Sequence, residues 1–314
     1  MTHKFKKLTL SVATSALLAN SAFALDSAIT NFGFSLVNGE MGHTITIFDS
    51  ANLSKTKTII GTGSNYKIAP TGASSYFYSD ADNATVKINF YDGLKTAVSN
   101  TGYMDITISP DNKKLYALKS DGTVDVINTS TNTVINTYST FSQPATDWDE
   151  PMPEIVTITL DGSKVLVGDY SRSTFTVLDT VTGTRSAPIT VGAQPEAIAI
   201  SSDGTKAYTV GFNSDTVSVI DLTTNTVVGS FATSWSPTGI ALSPDGTKIY
   251  VSANGYGRPL QVFSATDYSL IQSVNINKQI NGVNVSVDGS KIYVSATNNH
   301  KIVVIDSTTY ALSE

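Results

Sequence analysis

A short strand-like phrase returns seven times along this chain, at a spacing of about 42 residues. Its clearest copy is TVSVID at residues 216–221. The other copies are TITIFD (44–49), TVKINF (85–90), TVDVIN (123–128), TFTVLD (174–179), PLQVFS (259–264) and KIVVID (301–306). Repeats of this length that are built from short strands are typical of propeller blades. The repeat predicts an all-β fold, a seven-bladed β-propeller of four-stranded antiparallel blades.

One unit, residues 195–232, shows how a blade forms. Four short strand patterns are separated by turn residues, with Asp203-Gly204 between the first two. The third pattern has apolar residues on both faces, which indicates a sheet packed between two neighbours. An aspartate that ends the third strand, as Asp221 does, recurs in several units, so we expect it to cap the next turn rather than to catalyse a reaction. The same position holds Asp49, Asp179 and Asp306.

The first 24 residues predict a secretory signal peptide. Three lysines precede an apolar run at residues 8–18, and Ala22-Phe23-Ala24 supplies the small residues of a cleavage site. The run is too short for a membrane span, which needs roughly 20 apolar residues. We predict cleavage after Ala24, a single propeller domain over residues 25–314, and a periplasmic, extracellular or cell-surface location.

Charge and cysteine content exclude several functions. Removal of residues 1–24 takes away three lysines and no acidic residue, so the formal net charge changes from −6 to −9. An acidic chain of this kind does not suit nucleic acid or anionic lipid, which are bound through Lys and Arg. The chain has no cysteine, so it has neither a disulfide nor a thiolate nucleophile.

The two ends of the repeat leave the closure of the ring open. Residues 32–37 match a second strand, and residues 310–314 begin a fourth strand. Either residues 25–30 supply the missing inner strand, or a short closing segment lies outside this sequence.

The longest departure from the repeat lies between the units that contain TVDVIN and TFTVLD. Their spacing rises to 51 residues, and the excess falls in residues 140–154. Loops of unusual length are often functional. The alternative is a solvated insertion with the tryptophan packed down as a lid. The candidate binding residues here are Trp148, Asp149, Glu150 and Glu154.

Alignment of the units places Glu154 and Glu196 at equivalent positions, where two consecutive innermost strands begin. Neighbouring carboxylates at a channel mouth could share a cation such as calcium or raise each other's pKa. General acid and base catalysis of glycoside hydrolysis would also use two carboxylates, but no further motif supports this activity. We predict no cofactor and no catalytic residue, with calcium as the alternative and these two glutamates as its weak candidate ligands.

Loops between second and third strands should share the face of the inter-blade loops. They contribute Arg172, Tyr256 and Arg258, and Trp235 stands in an inter-blade loop on the same rim. Aromatic and Arg residues beside carboxylates suit recognition of a protein surface or a small polar ligand.

The unit YTVGFNSDTVSVIDLTTNTVVGSF (208–231) resembles the YVTN-repeat β-propellers, as do SPDGTKIYVSA (243–253) and SVDGSKIYVSATNNHKIVVID (286–306). The resemblance implies an exported bacterial or archaeal protein. The tetrapeptide itself reads YTVG or YVSA here, so the surrounding pattern carries the likeness.

Together these features predict a monomeric, non-enzymatic binding propeller that uses its inter-blade loop face. One alternative is a lactonase-like or metal-dependent hydrolase at the channel mouth, and another is an adhesive or structural surface protein.

Overall fold

The computed structural model describes most of the chain beyond residue 31. The described ranges are 32–39, 42–49, 55–60, 65–71, 74–79, 84–89, 95–99, 102–140, 153–257, 259–286, 288–296 and 301–313. Every regular element in these ranges is a β-strand, so none of them contains a helix that could cross a membrane. The predicted signal peptide lies outside the described residues.

The strands form separate antiparallel sheets in which consecutive strands are hydrogen-bonded neighbours. The first sheet has three strands: β1 (Phe32–Gly39), β2 (Gly42–Asp49) and β3 (Lys55–Ile60). The second has four: β4 (Asn65–Thr71), β5 (Ser74–Ser79), β6 (Ala84–Asn89) and β7 (Lys95–Ser99). The third has β8 (Asp105–Ile108), β9 (Lys114–Leu118), β10 (Thr123–Asn128) and β11 (Thr133–Ser139).

Four further sheets follow, each of four strands. They are β12 (Pro153–Ile158), β13 (Lys164–Asp169), β14 (Thr174–Asp179) and β15 (Ile189–Thr190); β16 (Pro195–Ile200), β17 (Lys206–Gly211), β18 (Thr216–Asp221) and β19 (Thr226–Ala232); β20 (Pro237–Leu242), β21 (Lys248–Ala253), β22 (Pro259–Ser264) and β23 (Leu270–Asn275); and β24 (Ile280–Val285), β25 (Lys291–Ala296), β26 (Lys301–Asp306) and β27 (Leu312–Ser313).

The sheets pack around a common inner edge. The first strand of each sheet contacts the first strand of the next, in the series β4, β8, β12, β16, β20 and β24. The third strands are buried, as the pattern of β18 shows, whereas the fourth strands β11 and β19 are mostly exposed. This radial order confirms the predicted propeller of antiparallel four-stranded blades. A count of seven blades and the closure of the ring stay predictions, because residues 25–30 lie outside the described ranges.

Apolar clusters between neighbouring sheets hold the blades together. Val217 and Val219 of β18 pack with Ile249 and Val251 of β21, and all four side chains are buried. Equivalent clusters join the third sheet to the fourth, the fourth to the fifth and the sixth to the seventh. Both faces of these sheets are therefore covered, which explains why the third strands carry apolar residues without a strict alternation.

The conspicuous aspartates are turn caps, as the repeat predicts. Asp221 Oδ1 accepts the backbone N–H groups of Thr223 at 2.7 Å and Thr224 at 3.0 Å. Asp179 and Asp306 accept the corresponding N–H groups of their own turns. The side chain of Asp49 lies outside the described residues. These carboxylates are structural acceptors.

Candidate functional site

The two ends of the blades differ in chemistry. Connections between first and second strands, and between third and fourth strands, emerge at one end, which we call the turn face. The remaining connections emerge at the other end, which we call the loop face. It carries the loops between second and third strands and the loops that join consecutive blades, such as residues 191–194 and 233–236.

On the turn face, repeated aspartates accept hydrogen bonds from their own turns. In the turn between β12 and β13, Asp161 accepts hydrogen bonds from the Thr159 hydroxyl at 2.6 Å and from the Ser163 N–H at 3.0 Å. These bonds, the first above all, lower the pKa of Asp161 to about 2. Asp288 is held in the same way by Ser286 and Ser290, and its pKa is also about 2. Such carboxylates have little hydrogen-bonding capacity left for a ligand.

The loop face instead exposes aromatic rings. Among the residues whose burial is described, only two aromatic side chains are mainly exposed: Trp235 at 69% and Tyr256 at 100%. Both border one pocket of about 480 Å³, lined by Trp235, Ser236, residues 254–257 and Asn277. The pocket lies where the β19–β20, β21–β22 and β23–β24 loops meet. The structure thus brings together two of the aromatic residues that the sequence nominated.

Hydrogen bonds from backbone N–H groups hold the walls of this pocket. The Ser236 N–H donates to Asp215 Oδ1 at 2.8 Å, and the Asn254 N–H donates to the Ser236 carbonyl at 3.0 Å. Gly255 lies tightly against Trp235, because an added Cβ would lie only 3.0 Å from the Trp235 nitrogen. The loop that carries Tyr256 is therefore pressed directly against the loop that carries Trp235.

Tyr170, at the start of the β13–β14 loop, lies within the electrostatic influence of Glu154 and Glu196. The Tyr170 hydroxyl donates to Gln194 Oε1 at 2.8 Å. Burial raises the pKa of Tyr170 to about 12, and the negative charges of Glu196 and Glu154 add to the increase. The charges of both glutamates thus influence the same phenol, and their adjacency at the channel mouth stays a prediction.

Arg172 contributes to the structure of its own loop. Its Nη1 atom lies 3.7 Å from Asp169 Oδ2, and its side chain is only 17% exposed. The backbone N–H groups of Ser171 and Arg172 donate to Asp169 Oδ1 at 3.1 and 3.2 Å. This ion pair and the turn fix the β13–β14 loop on the loop face.

One charged cluster on the loop face was not predicted from the sequence. Asp125 is 4% exposed and accepts hydrogen bonds from the hydroxyls of Tyr103 at 2.9 Å and Thr137 at 2.6 Å. Lys119 Nζ lies 2.8 Å from its Oδ2 atom. The sequence feature that could have indicated this cluster is Asp125 itself, an acidic residue within TVDVIN. The equivalent position is buried in other copies, where it holds Ser218 or Val303.

Four of the candidate residues lie outside the described residues: Trp148, Asp149, Glu150 and Arg258. Within the described ranges, no three His, Asp or Glu side chains form a group that could hold a metal ion.

Comparisons with known proteins extend the fold assignment. The chain matches no protein-family profile and no curated protein. It is similar in structure to a functionally unknown protein from Desulfotomaculum acetoxidans DSM 771, with a TM-score of 0.74 and 18% identity over 91% of this chain and 95% of that one. It is also similar to the β-propeller domain of Myceliophteria thermophila Cps50 (Swd1), with a TM-score of 0.72 and 10% identity over 89% and 98% of the two chains. At these identities the likeness concerns the fold alone, and the chain is a β-propeller.

Proposed function

We propose that this protein is an exported, non-enzymatic binding propeller of the YVTN-repeat type. It acts as a monomer in the periplasm or at the cell surface, and its loop face contacts a partner protein or a small polar ligand. The contrast between the two faces carries this proposal. Exposed Trp235 and Tyr256 lie on the loop face. On the turn face, Asp161 and Asp288 instead accept hydrogen bonds from residues of their own turns.

Exposed aromatic rings favour recognition for an energetic reason. Burial of a large apolar side chain contributes about 1.5 to 3 kcal/mol, and a fully exposed ring leaves that free energy unused in the free protein. Aromatic side chains are accordingly enriched among the residues that dominate binding interfaces. The YVTN-like units support the export part of the proposal, as does the leader at residues 1–24.

A pull-down from the native envelope tests this proposal. The bait is the mature chain, compared with two loop-face variants, Trp148→Ala/Glu154→Ala and Tyr256→Ala. The matched control is Val181→Ser, because Val181 is 85% exposed on the turn face. We expect the parent and the control to capture the same partner, and at least one loop-face variant to lose it. Full capture by both loop-face variants would contradict the proposal.

A second candidate function is a metal-dependent, lactonase-like hydrolase at the channel mouth. The observation that favours it is the pair Glu154 and Glu196 beside Tyr170. A hard cation prefers six or more oxygen ligands, so this pair would need further donors. Metal analysis and melting with and without calcium separate the two functions. Bound calcium together with a melting shift that Glu154→Gln/Glu196→Gln abolishes would favour the hydrolase; no metal and no shift would favour the binding module.

A further inference from the structure

We propose that the pocket between Trp235 and Tyr256 binds a neutral saccharide, such as the terminal unit of a glycan. This inference rests on the proposed function, because it names the ligand class for one part of the same loop face. A pyranose has an apolar face of C–H groups and a rim of hydroxyls. A site for it needs an exposed aromatic ring, several neutral hydrogen-bonding groups and a preformed cleft, and the pocket has all three.

The aromatic component is provided by two rings on different loops. Trp235 precedes β20 and Tyr256 lies between β21 and β22, and both border the same cleft. Their exposure, 69% and 100%, leaves ring surface available for a ligand. An indole or phenol ring combines a large apolar surface with one polar group, which suits a ligand that is apolar on one face and polar at its edge.

The polar side chains among the described lining residues are uncharged. Asn254, Asn277 and Ser236 line the pocket, and none of the described lining residues carries a charge. The Ile280 N–H donates to Asn254 Oδ1 at 3.1 Å, which fixes the orientation of the amide. The Nδ2 group of Asn254 makes no hydrogen bond to the described residues and is a donor for a ligand hydroxyl. Amides and hydroxyls both donate and accept, as sugar hydroxyls do.

The cleft is preformed. In addition to the contacts of Ser236 and Asn254, the Asn277 N–H donates to the Gly257 carbonyl at 3.2 Å. Gly257 has a φ of +77°, and an added Cβ would lie 2.9 Å from Asn275 Oδ1. Three loops are thus fixed before any ligand arrives, which lowers the entropic cost of binding. The volume of about 480 Å³ lies within the range of small-molecule sites.

The pocket is not repeated in the preceding blade. In the preceding blade, Ala193 takes the place of Trp235 and Phe212 that of Asn254. The β17–β18 loop there is one residue shorter, and Phe212 and Asn213 donate backbone hydrogen bonds to residues 193–194. A feature that the repeat required would recur in every blade. This combination of aromatic and amide side chains does not recur in the neighbouring blade, as expected for a binding site placed on a repeated scaffold.

An array of neutral oligosaccharides, followed by calorimetric titration of the best binder, tests the proposal on the mature chain. The variants are Trp235→Ala, Tyr256→Ala and Asn277→Ala, with Trp235→Phe and Tyr256→Phe as conservative partners and Val181→Ser as the control. We expect saturable binding by the parent that 0.5 M NaCl leaves unchanged. We expect Kd to rise at least tenfold in the alanine variants and less in the phenylalanine variants. Melting temperatures close to that of the parent show that each variant is folded.

The chain contains two tryptophans, so a Trp148→Phe background makes Trp235 the sole indole reporter. In that background we expect the saccharide to change the tryptophan emission with the Kd found by calorimetry. Absence of saturable binding to every neutral saccharide, equal affinity in Trp235→Ala and the parent, or loss of binding in 0.5 M NaCl would each overturn the inference. The proposed function is judged separately, by the pull-down with the Trp148→Ala/Glu154→Ala variant, which leaves Trp235, Tyr256 and Asn277 unchanged.

Discussion

Replacement of Asp125 by alanine should destabilise the blade that begins at β8. Asp125 is almost completely buried and connects three different segments on the loop face. Its partners are the hydroxyls of Tyr103 and Thr137 and the ammonium group of Lys119. Removal of the carboxylate leaves each of these groups without this acceptor, so the cost depends on how far each one can turn to water.

The three partners differ in exposure. Tyr103 is 1% exposed, so its hydroxyl loses an acceptor in a buried environment, at a cost of about 1 to 3 kcal/mol. The Lys119 side chain is 26% exposed and can reach water, so its cost should fall below the 3 to 5 kcal/mol of a fully buried pair. Thr137 is exposed and rehydrates. We therefore expect a loss of about 3 kcal/mol, which corresponds to a fall in melting temperature of about 6 °C for a chain of this size.

Urea unfolding of four proteins measures this loss: the parent, Asp125→Ala, Tyr103→Phe and the double variant. If the buried Tyr103 hydroxyl accounts for much of the cost, Asp125→Ala should cost about 1 to 2 kcal/mol less in the Tyr103→Phe background. The control is Asp121→Ala, an exposed carboxylate that caps the β9–β10 turn through the Thr123 N–H. A free energy of unfolding for Asp125→Ala within about 0.5 kcal/mol of the parent would refute the reasoning, since surface substitutions typically stay in that range.

Two further predictions concern the turn face. Gly204 has a φ of +70° and no atom within 4 Å of an added Cβ, so Gly204→Ala should cost about 1 kcal/mol through the backbone alone. Gly204→Asn should cost less, because Asn112 has a φ of 58° at the equivalent turn; equal costs in urea unfolding would contradict this. The pKa of Asp161 is lowered from 3.8 to about 2, so its contribution to stability is present above pH 3.8 and is lost as the pH falls towards 2. Asp161→Asn should therefore flatten the decline of melting temperature over that interval, and an unchanged decline would contradict the assignment.

The structure of a blade could be predicted from the sequence because its turns and strands depend on residues that are close together in the chain. The turn at Asp203-Gly204, the buried third strand at residues 216–221 and the cap at Asp221 all depend on residues close in the chain. Each is found where the repeat predicted it, since turn chemistry and strand pattern act over a few residues.

The candidate site could be predicted only in part. Alignment of the units predicted that Glu154 and Glu196 are adjacent at the channel mouth, and the negative charges of both raise the pKa of Tyr170. The sequence nominated Trp235 and Tyr256 but did not reveal that they border one pocket with Asn254 and Asn277. That association requires three loops from different parts of the chain to meet.

Sequence alone therefore determined the repeat, the strands, the turns and the all-β architecture, because these follow from local hydrogen bonding and the periodic placement of apolar residues. Only the tertiary structure decided which side chains become neighbours across blades. The burial of Asp125 against Tyr103 and the opening between Trp235 and Tyr256 depend on how the loops of successive sheets pack. The repeat sets the spacing of the blades, whereas the contacts between loops, which lie outside the repeat, give the loop face its chemistry.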